Sequence, residues 1–265
     1  MIRAWRGQIF TYADPMNVYE TEPLLAQYLM LHYGAPEEVL PYAFGPKNAL
    51  DFPRRCVEDL VARHEVPSGA RALDVGCSVG RTSFELARVC EEVIGIDFSA
   101  SFINAANTLR EKAQLDYTRP HEGAVTLRSV AAAPENVDRT RIAFETGDAM
   151  DLRPDLGTFD VVLACNLICR LPEPMRFLSR LKELVKPGGQ LIITTPFSWM
   201  EEYTPRENWL GGCEGKSDSF LGLKHALQPD FELQLEHDMP MLIKEHARKY
   251  QWTVVQGSRW LRRNT

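Results

Sequence analysis

Leu73-Asp74-Val75-Gly76-Cys77-Ser78-Val79-Gly80-Arg81 is the stretch whose reading decides the fold. It closes a short apolar run that begins at Arg71, turns on two glycines, and opens onto helical spacing from Thr82 to Cys90 (Phe84, Leu86, Ala87, Val89-Cys90). That order describes a buried strand feeding a helix, and glycines at such a turn let the backbone approach a ligand at the helix N-terminus. The spacing Gly76-x-Ser78-x-Gly80, behind an acid at Asp74, departs from the G-x-G-x-x-G dinucleotide fingerprint. A purely structural glycine turn would look the same, so the neighbouring segments carry the decision.

Outward from this turn, strand and helix signals alternate to about residue 195. Val93-Ile94-Gly95-Ile96-Asp97 is a second strand, and Ser99 can cap a helix running to Lys112. Arg141 to Thr146 alternates as a strand, and Phe159 to Ala164 is a continuous apolar run suited to a central parallel strand. Pro174 to Val185 is amphipathic, Lys186-Pro187-Gly188-Gly189 breaks it, and Gln190 to Thr195 is a further strand. The alternation predicts an α/β fold, a mostly parallel sheet with helices on both faces.

The flanks predict additions to that core. One helix runs from Thr21 or Glu22 to Tyr33, with Pro23 in its first turn; a start at Asn17 would bury Pro23 inside the helix and ranks second. A second helix is expected from Pro53 to His64. Residues 116–140 read as a hairpin or loop turning at Gly123. Residues 196–225 form a Trp/Gly-rich loop with a short helix from Ser217 to Leu227. Phe231–His237 and Trp252–Val255 read as strands of a C-terminal antiparallel β-hairpin.

The chain has 265 residues, 45% hydrophobic and 25% charged, with a net charge of -6. This length allows one large domain or two small ones. The core takes residues 70–195, and the remainder is divided between the two ends, so one domain is expected over 1–265. Residues 1–69 would be an N-terminal helical cap, and 196–265 a substrate loop and hairpin. Without a run of about 18 apolar residues or an apolar segment near the N-terminus, neither a membrane partner nor a secretory signal is expected. The acidic balance argues against a nucleic-acid partner. The one basic cluster, Arg259-Trp260-Leu261-Arg262-Arg263, reads as a solvated tail. Six cysteines without a CxxC pair read as reduced cytoplasmic thiols, and His32, His64, His225, His237 and His246 lack metal-ligand spacing, so no metal is expected.

The core motifs resemble those of class I S-adenosylmethionine (SAM) methyltransferases. The turn at Asp74 matches their D-x-G-x-[GAS]-x-G loop. Asp97-Phe98-Ser99 follows the second strand, Gly147-Asp148-Ala149-Met150 the third, and Asn166 the fourth, with Lys186-Pro187-Gly188-Gly189 before the last. Their shared order is the main warrant. An acid at Asp97 can accept hydrogen bonds from both ribose hydroxyls, where a phosphate would be repelled. The resemblance implies a Rossmann-like fold. It also implies a SAM site built from Asp74, Gly76, Cys77, Ser78, Gly80, Arg81, Asp97, Phe98, Ser99, Asp148, Ala149 and Asn166, with Asp148 at the adenine amino group and S-adenosylhomocysteine (SAH) as the product. The fourth strand lacks the Asn/Asp-Pro-Pro-Tyr/Phe signature of DNA adenine or glutamine methyltransferases, which favours a small substrate.

The flanks resemble a narrower family. Asn17-Val18-Tyr19-Glu20-Thr21, His32-Tyr33-Gly34, Leu40-Pro41-Tyr42-x-Phe44-Gly45-Pro46, Phe52-Pro53-x-Arg55-Cys56, Glu201-Glu202-Tyr203-Thr204-Pro205-x-Glu207-Asn208-Trp209-Leu210-Gly211-Gly212 and Glu245-x-Ala247-Arg248-Lys249-Tyr250-Gln251-Trp252-Thr253 are similar to the mercaptohistidine (5-thiohistidine) N-methyltransferase of ovothiol biosynthesis, over about residues 15–257. That family usually occurs as the C-terminal domain of a bifunctional sulfoxide synthase. Here no iron-binding synthase segment precedes it, so methyl transfer is expected on a separate polypeptide, with the synthase as a functional partner.

The implied reaction is N-methylation of the imidazole ring of 5-thiohistidine to ovothiol A. A pocket for this small zwitterion needs a cation for the carboxylate, an acid for the ammonium and flat apolar walls. The candidates are Asn17, Tyr19, Glu20, Tyr42, Phe44, Asn166, Arg170, Tyr203, Trp209 and Trp252. A donor such as Asn17, Asn166 or a Tyr hydroxyl would hold the sulfur away from the methyl; no catalytic residue is named, because a neutral ring nitrogen needs no general base. Two alternatives stand beside this reading. One is methylation of another small imidazole or thiol, and the other a non-catalytic SAM-binding partner of a synthase.

Overall fold

A computed structural model describes residues 18–264. After a 3-10 turn at Val18–Glu20, α1 spans Glu22–Tyr33, with Thr21 at its N-cap and Pro23 in the first turn, so the later of the two helix starts is the one adopted. The cap continues through α2 (Pro36–Val39) and α3 (Phe52–Glu58). The core then runs β1 (Arg71–Val75), α4 (Arg81–Leu86), β2 (Glu92–Asp97), α5 (Ala100–Lys112), β3 (Gln114–Glu122), β4 (Val125–Ala132), β5 (Ile142–Thr146), β6 (Phe159–Cys165), α6 (Pro174–Leu184) and β7 (Val185–Thr195). The chain ends with α7 (Ser219–Leu227), β8 (Phe231–His246) and β9 (Lys249–Arg262).

Seven strands form one sheet in the order β5-β2-β1-β6-β7-β9-β8; β3 and β4 form a separate antiparallel ribbon. The strands β5, β2, β1, β6 and β7 are mutually parallel, and β9 pairs antiparallel to both β7 and β8. The chain moves outward from β1 to β2 and β5, then returns to β6 on the other side of β1. Strand order therefore reverses between β1 and β6, and ligands of open α/β sheets bind outside the carboxyl ends of the strands at such a switch point. Alternate residues serve opposite faces. Ala72, Val161, Leu163 and Ile192 pack with Phe84, Phe102 and Leu29, while Leu73, Val162, Ala164, Leu191 and Ile193 pack with Phe177, Leu181 and Trp260. Both faces are buried, which is why β6 reads as apolar but for Asp160 at its start.

Three expectations need correction. The helix expected over Pro53–His64 stops at Glu58. Leu60, Val61 and Ala62 are all buried, which a single helical stripe cannot arrange, and the Gln190 side chain takes over the Ala62 backbone, accepting from its N–H at 2.9 Å and donating to its carbonyl at 3.1 Å. The C-terminal hairpin is far longer than the sequence pattern marks. Only Gln256–Leu261 of β9 pairs with β7, so the rest of the β8–β9 ribbon projects beyond Thr195 as an arm on the carboxyl side of the sheet. The basic run Arg259–Arg263 is not a solvated tail, because its first four residues lie in β9. Trp260 is fully buried with its indole N–H on Ser258 Oγ at 2.9 Å, while Arg259 and Arg262 donate to the carbonyls of Leu60 and Val185.

Candidate active site

The β1–α4 turn has a backbone few side chains tolerate. Gly76, Ser78 and Gly80 have φ of 74°, 53° and 90°. A non-glycine residue held in the left-handed region marks a loop shaped for a purpose. A Cβ on Gly80 would come within 2.6 Å of Phe144 Cζ, so glycine is required there for space as well as conformation. The loop is fixed from below by Ile96, whose carbonyl accepts from Gly76 N at 2.7 Å and Cys77 N at 3.0 Å.

Asp97 ties this loop to α5. Its Oδ2 accepts from Ser78 N at 2.8 Å and its Oδ1 from Ser99 N at 2.9 Å, while Ser99 Oγ caps the helix by accepting from Phe102 N. Burial pushes the Asp97 carboxyl up to about 6, against the opposing effect of the amides. Asp74 lies one layer deeper, where its Oδ2 accepts from the Thr82 and Ser83 hydroxyls, and burial pushes it too up to about 6. Asp74 Oδ1 and Ser78 Oγ are buried with no hydrogen-bond partner among the described residues. Buried polar atoms are nearly always paired. These two orphans, Ser78 in the glycine loop and Asp74 beneath it, fit a polar ligand such as SAM, and Asp97, which accepts from the amides of Ser78, Phe98 and Ser99, keeps a lone pair for a ribose hydroxyl. Asp148 closes an Asx-turn onto Met150 N at 2.8 Å beside buried Ala149, and Phe98 is half-buried next to Asp97.

Arg81 is differently engaged. Its Nε pairs with buried Glu85 at 2.8 Å and its Nη1 donates to the His32 carbonyl, so it binds the cap to the core. Cys77 is buried beneath the loop. Asn166, directly after β6, has φ 52°; its Oδ1 accepts from Thr194 Oγ1 at 3.1 Å and its Nδ2 donates to Met241 Sδ at 3.4 Å.

At the same edge of the sheet, elements distant in sequence gather tyrosines around one guanidinium. Arg170 donates to the Cys169 and Ser198 carbonyls at 2.9 Å each, stacks over the Tyr203 ring at 5.0 Å and hydrogen-bonds Tyr19. The Tyr19 ring sits 6.3 Å from Tyr28, 6.0 Å from Phe102 and 6.4 Å from Tyr203. Burial raises the pKa of the Tyr19 hydroxyl and pushes that of Tyr28 up to about 12, so both stay neutral donors. Tyr19 is anchored by its carbonyl, which accepts from Ser99 Oγ and Ser101 Oγ. Glu20 turns its carboxylate onto Ala100 N and Ser101 N at the start of α5, a helix-capping role that leaves its oxygens engaged away from the tyrosines.

The other substrate candidates lie elsewhere. Tyr42 stacks on Phe44 and donates to the Ala247 carbonyl at the tip of the arm, and Phe44 is 89% exposed. Trp252 is 56% exposed and pairs with Leu242, which packs with Tyr42 on the face of the arm opposite Met241. Trp209 stacks on Trp199 and donates to the Thr204 carbonyl, lining a cleft of about 560 Å³ between α6 and the 205–226 segment. Asn17 falls outside the described residues. Sequence reasoning missed Tyr28. The available signal was its place one turn before His32 on the helix that follows Tyr19.

A family model described as a methyltransferase domain matches residues 73–193. A ubiquinone biosynthesis O-methyltransferase of Coxiella burnetii is 29% identical over 127 residues, 48% of this chain and 44% of that protein. One from Xanthomonas axonopodis pv. citri is 26% identical over 155 residues, 58% of this chain and 54% of that protein. The chain thus spans about half the length of the curated relatives it matches. Among solved structures, magnesium protoporphyrin IX methyltransferase from Synechocystis PCC 6803 with bound SAH superposes with a TM-score of 0.51 at 17% identity, covering 83% of this chain and 90% of that one. A structure concerned with conversion of a disulfide bond into a thioacetal group during echinomycin biosynthesis gives 0.52 at 16% identity, covering 80% and 82%. At such identities the likeness is one of fold, and the fold is the Rossmann-like one of class I methyltransferases. Residues 73–193, which match that family model, lie on that fold. The matches to the curated relatives cover about half of the chain, while the tyrosine–arginine cluster draws Tyr19, Tyr28 and Tyr203 from outside that domain.

Proposed function

We propose that this chain is a SAM-dependent methyltransferase that methylates an imidazole ring nitrogen of 5-thiohistidine to give ovothiol A. The observation that carries the reading is Arg170, held among Tyr19, Tyr28 and Tyr203 at the carboxyl edge of the sheet. A fixed guanidinium between flat aromatic walls suits a small carboxylate bearing a planar ring. Two of those tyrosines, Tyr19 and Tyr203, belong to flank segments that resemble the mercaptohistidine family.

When bound, SAM supplies an electrophilic sulfonium methyl, already activated. The protein is left with positioning, which can account for most of the acceleration. Asp97 would hold the ribose hydroxyls, Asp74 and Ser78 the polar groups over the loop, and Asp148 the adenine amine. Arg170 would hold the acceptor's carboxylate. Selectivity for nitrogen over the softer thiolate falls to Asn166. Thr194 fixes its carbonyl oxygen, so its amide N–H points away and already meets a sulfur, that of Met241. An amide donor so placed suits a thiolate and would keep it off the methyl. The six free thiols support a reducing, cytoplasmic setting, in which a separate sulfoxide synthase would furnish the thiolated substrate.

The test is an acceptor panel of 5-thiohistidine, histidine, other imidazole thiols and a catechol, with SAH formation and product mass as readouts. Preferred turnover of 5-thiohistidine supports the assignment. Turnover of histidine or the catechol without 5-thiohistidine overturns it, and SAM binding with no turnover favours a regulatory partner instead.

A further inference from the structure

Helix α1 touches both halves of the site. At its C-terminal end the Tyr33 hydroxyl donates to the Val79 carbonyl at 2.6 Å, in the middle of the glycine loop. One residue earlier, His32 Nδ1 accepts from Arg81 N at 3.4 Å, and its carbonyl accepts from Arg81 Nη1 at 2.9 Å. Burial pushes His32 down to about 3, so it is a neutral acceptor at physiological pH. One turn towards the N-terminus on the same helix, Tyr28 stands in the Arg170 cluster. Its ring lies 4.9 Å from Phe102 and 6.1 Å from His32, and His32 lies 6.1 Å from Tyr33. Residues four apart share one face of a helix, so Tyr28 meets His32, which reaches the end of the cofactor loop at Arg81 N and lies beside Tyr33.

The loop peptide is consequently held from two sides. Asp97 holds Ser78 N from the sheet, and Tyr33 holds Val79 O from the cap. We infer that α1 couples the two binding events, with Tyr33 as a positioning residue for the cofactor loop and Tyr28 as the contact through which an acceptor bound at Arg170 tightens cofactor binding. An acceptor that orders Tyr28 also orders His32 and Tyr33, and so lowers the cost of ordering the loop for SAM; by reciprocity, SAM tightens the acceptor equally. The identity of the acceptor rests on the function proposed above, whereas the role of Tyr33 at the loop does not.

The test measures SAH affinity by calorimetry, with and without saturating 5-thiohistidine, for the wild-type chain, Tyr33→Phe and Tyr28→Leu. Thermal melts confirm that each variant is folded. In the wild type the acceptor should tighten SAH about fivefold or more, the lower end of ordinary coupling. Tyr33→Phe keeps the ring and removes one buried hydrogen bond, so SAH alone should bind about five- to tenfold more weakly. Its KM for SAM should rise while kcat falls by much less. Tyr28→Leu, compared with its own acceptor-free SAH affinity, should lose the tightening by acceptor. Unchanged SAH affinity in Tyr33→Phe overturns the loop assignment whatever the acceptor is. Intact tightening in Tyr28→Leu overturns the coupling. If 5-thiohistidine leaves wild-type SAH binding unchanged and is not turned over, the acceptor assignment fails, while the Tyr33 result still stands or falls alone.

Discussion

Asp97 carries two duties on one carboxylate. It organises the loop by accepting from the Ser78 and Ser99 backbone N–H groups, and on the proposed function it would also hold the ribose hydroxyls. Burial holds it and Asp74 near 6, above the ordinary carboxylate value. Between about pH 4 and 6 the folded chain therefore binds more protons than the unfolded one, so these two groups make stability fall as pH rises through that window. The resulting cost is fully present above pH 6. Cofactor binding needs the opposite state. SAH affinity should fall as pH drops through about 6, and Asp97→Asn should bind weakly and with a flatter profile; SAH titrations from pH 5 to 8 check this. Gly80 gives a second test at this scale. Gly80→Ala places a Cβ against Phe144 at positive φ and should cost about 2–4 kcal/mol in a denaturant melt. Replacing Arg170 with Ala removes a charge-assisted contact, so the acceptor KM should rise roughly 10- to 100-fold, and Arg170→Lys should recover only part of it.

At the scale of elements, β9 makes the firmest prediction. Truncation after Ser258 would remove Trp260, a fully buried side chain, along with the pairing of Arg259–Leu261 to β7. Losing one buried aromatic alone costs about 3–5 kcal/mol, so the truncated chain should fail to give a cooperative melt, whereas a dispensable tail would leave the melt unchanged. Strands β1, β2, β6 and β7 were legible in the sequence because both faces of the sheet are buried there, which leaves apolar runs such as residues 161–165. The outer strands were legible only in part: residues 231–237 and 252–255 read as strands, but along the rest of the ribbon Pro240 interrupts the apolar stretch 239–243 and Lys244 follows it, so the alternation was lost. The basic residues of β9 misled because Arg259 and Arg262 use long side chains to reach backbone carbonyls while Trp260 fills the core. The extended turn at Ala62 depends on Gln190, 128 residues away, and no local signal announces it.

For the molecule as a whole, the glycine loop and the acids that follow strands, the candidate cofactor side, stood out in the sequence because they are local features. The acceptor side was only half readable. Tyr19, Arg170 and Tyr203 were named from the sequence and meet in space, whereas Tyr42, Phe44 and Trp252 share the far face of the arm and Trp209 turns into a separate cleft. The composition of the flanks was informative, but which aromatics converge depends on how the cap and the 196–218 segment fold back over the sheet. The proposed division of labour assigns the sulfur to Asn166 and the carboxylate to Arg170, which leaves the ring nitrogen towards the methyl. Asn166→Asp, which replaces the donor with a repelling carboxylate, should slow turnover and release some S-methyl product. The central claim is tested most directly by supplying SAM carrying a ¹³C-methyl group together with 5-thiohistidine and locating the label by NMR. The account predicts the label on an imidazole nitrogen with an equivalent of SAH; label on the sulfur, or labelled histidine with 5-thiohistidine untouched, would contradict it.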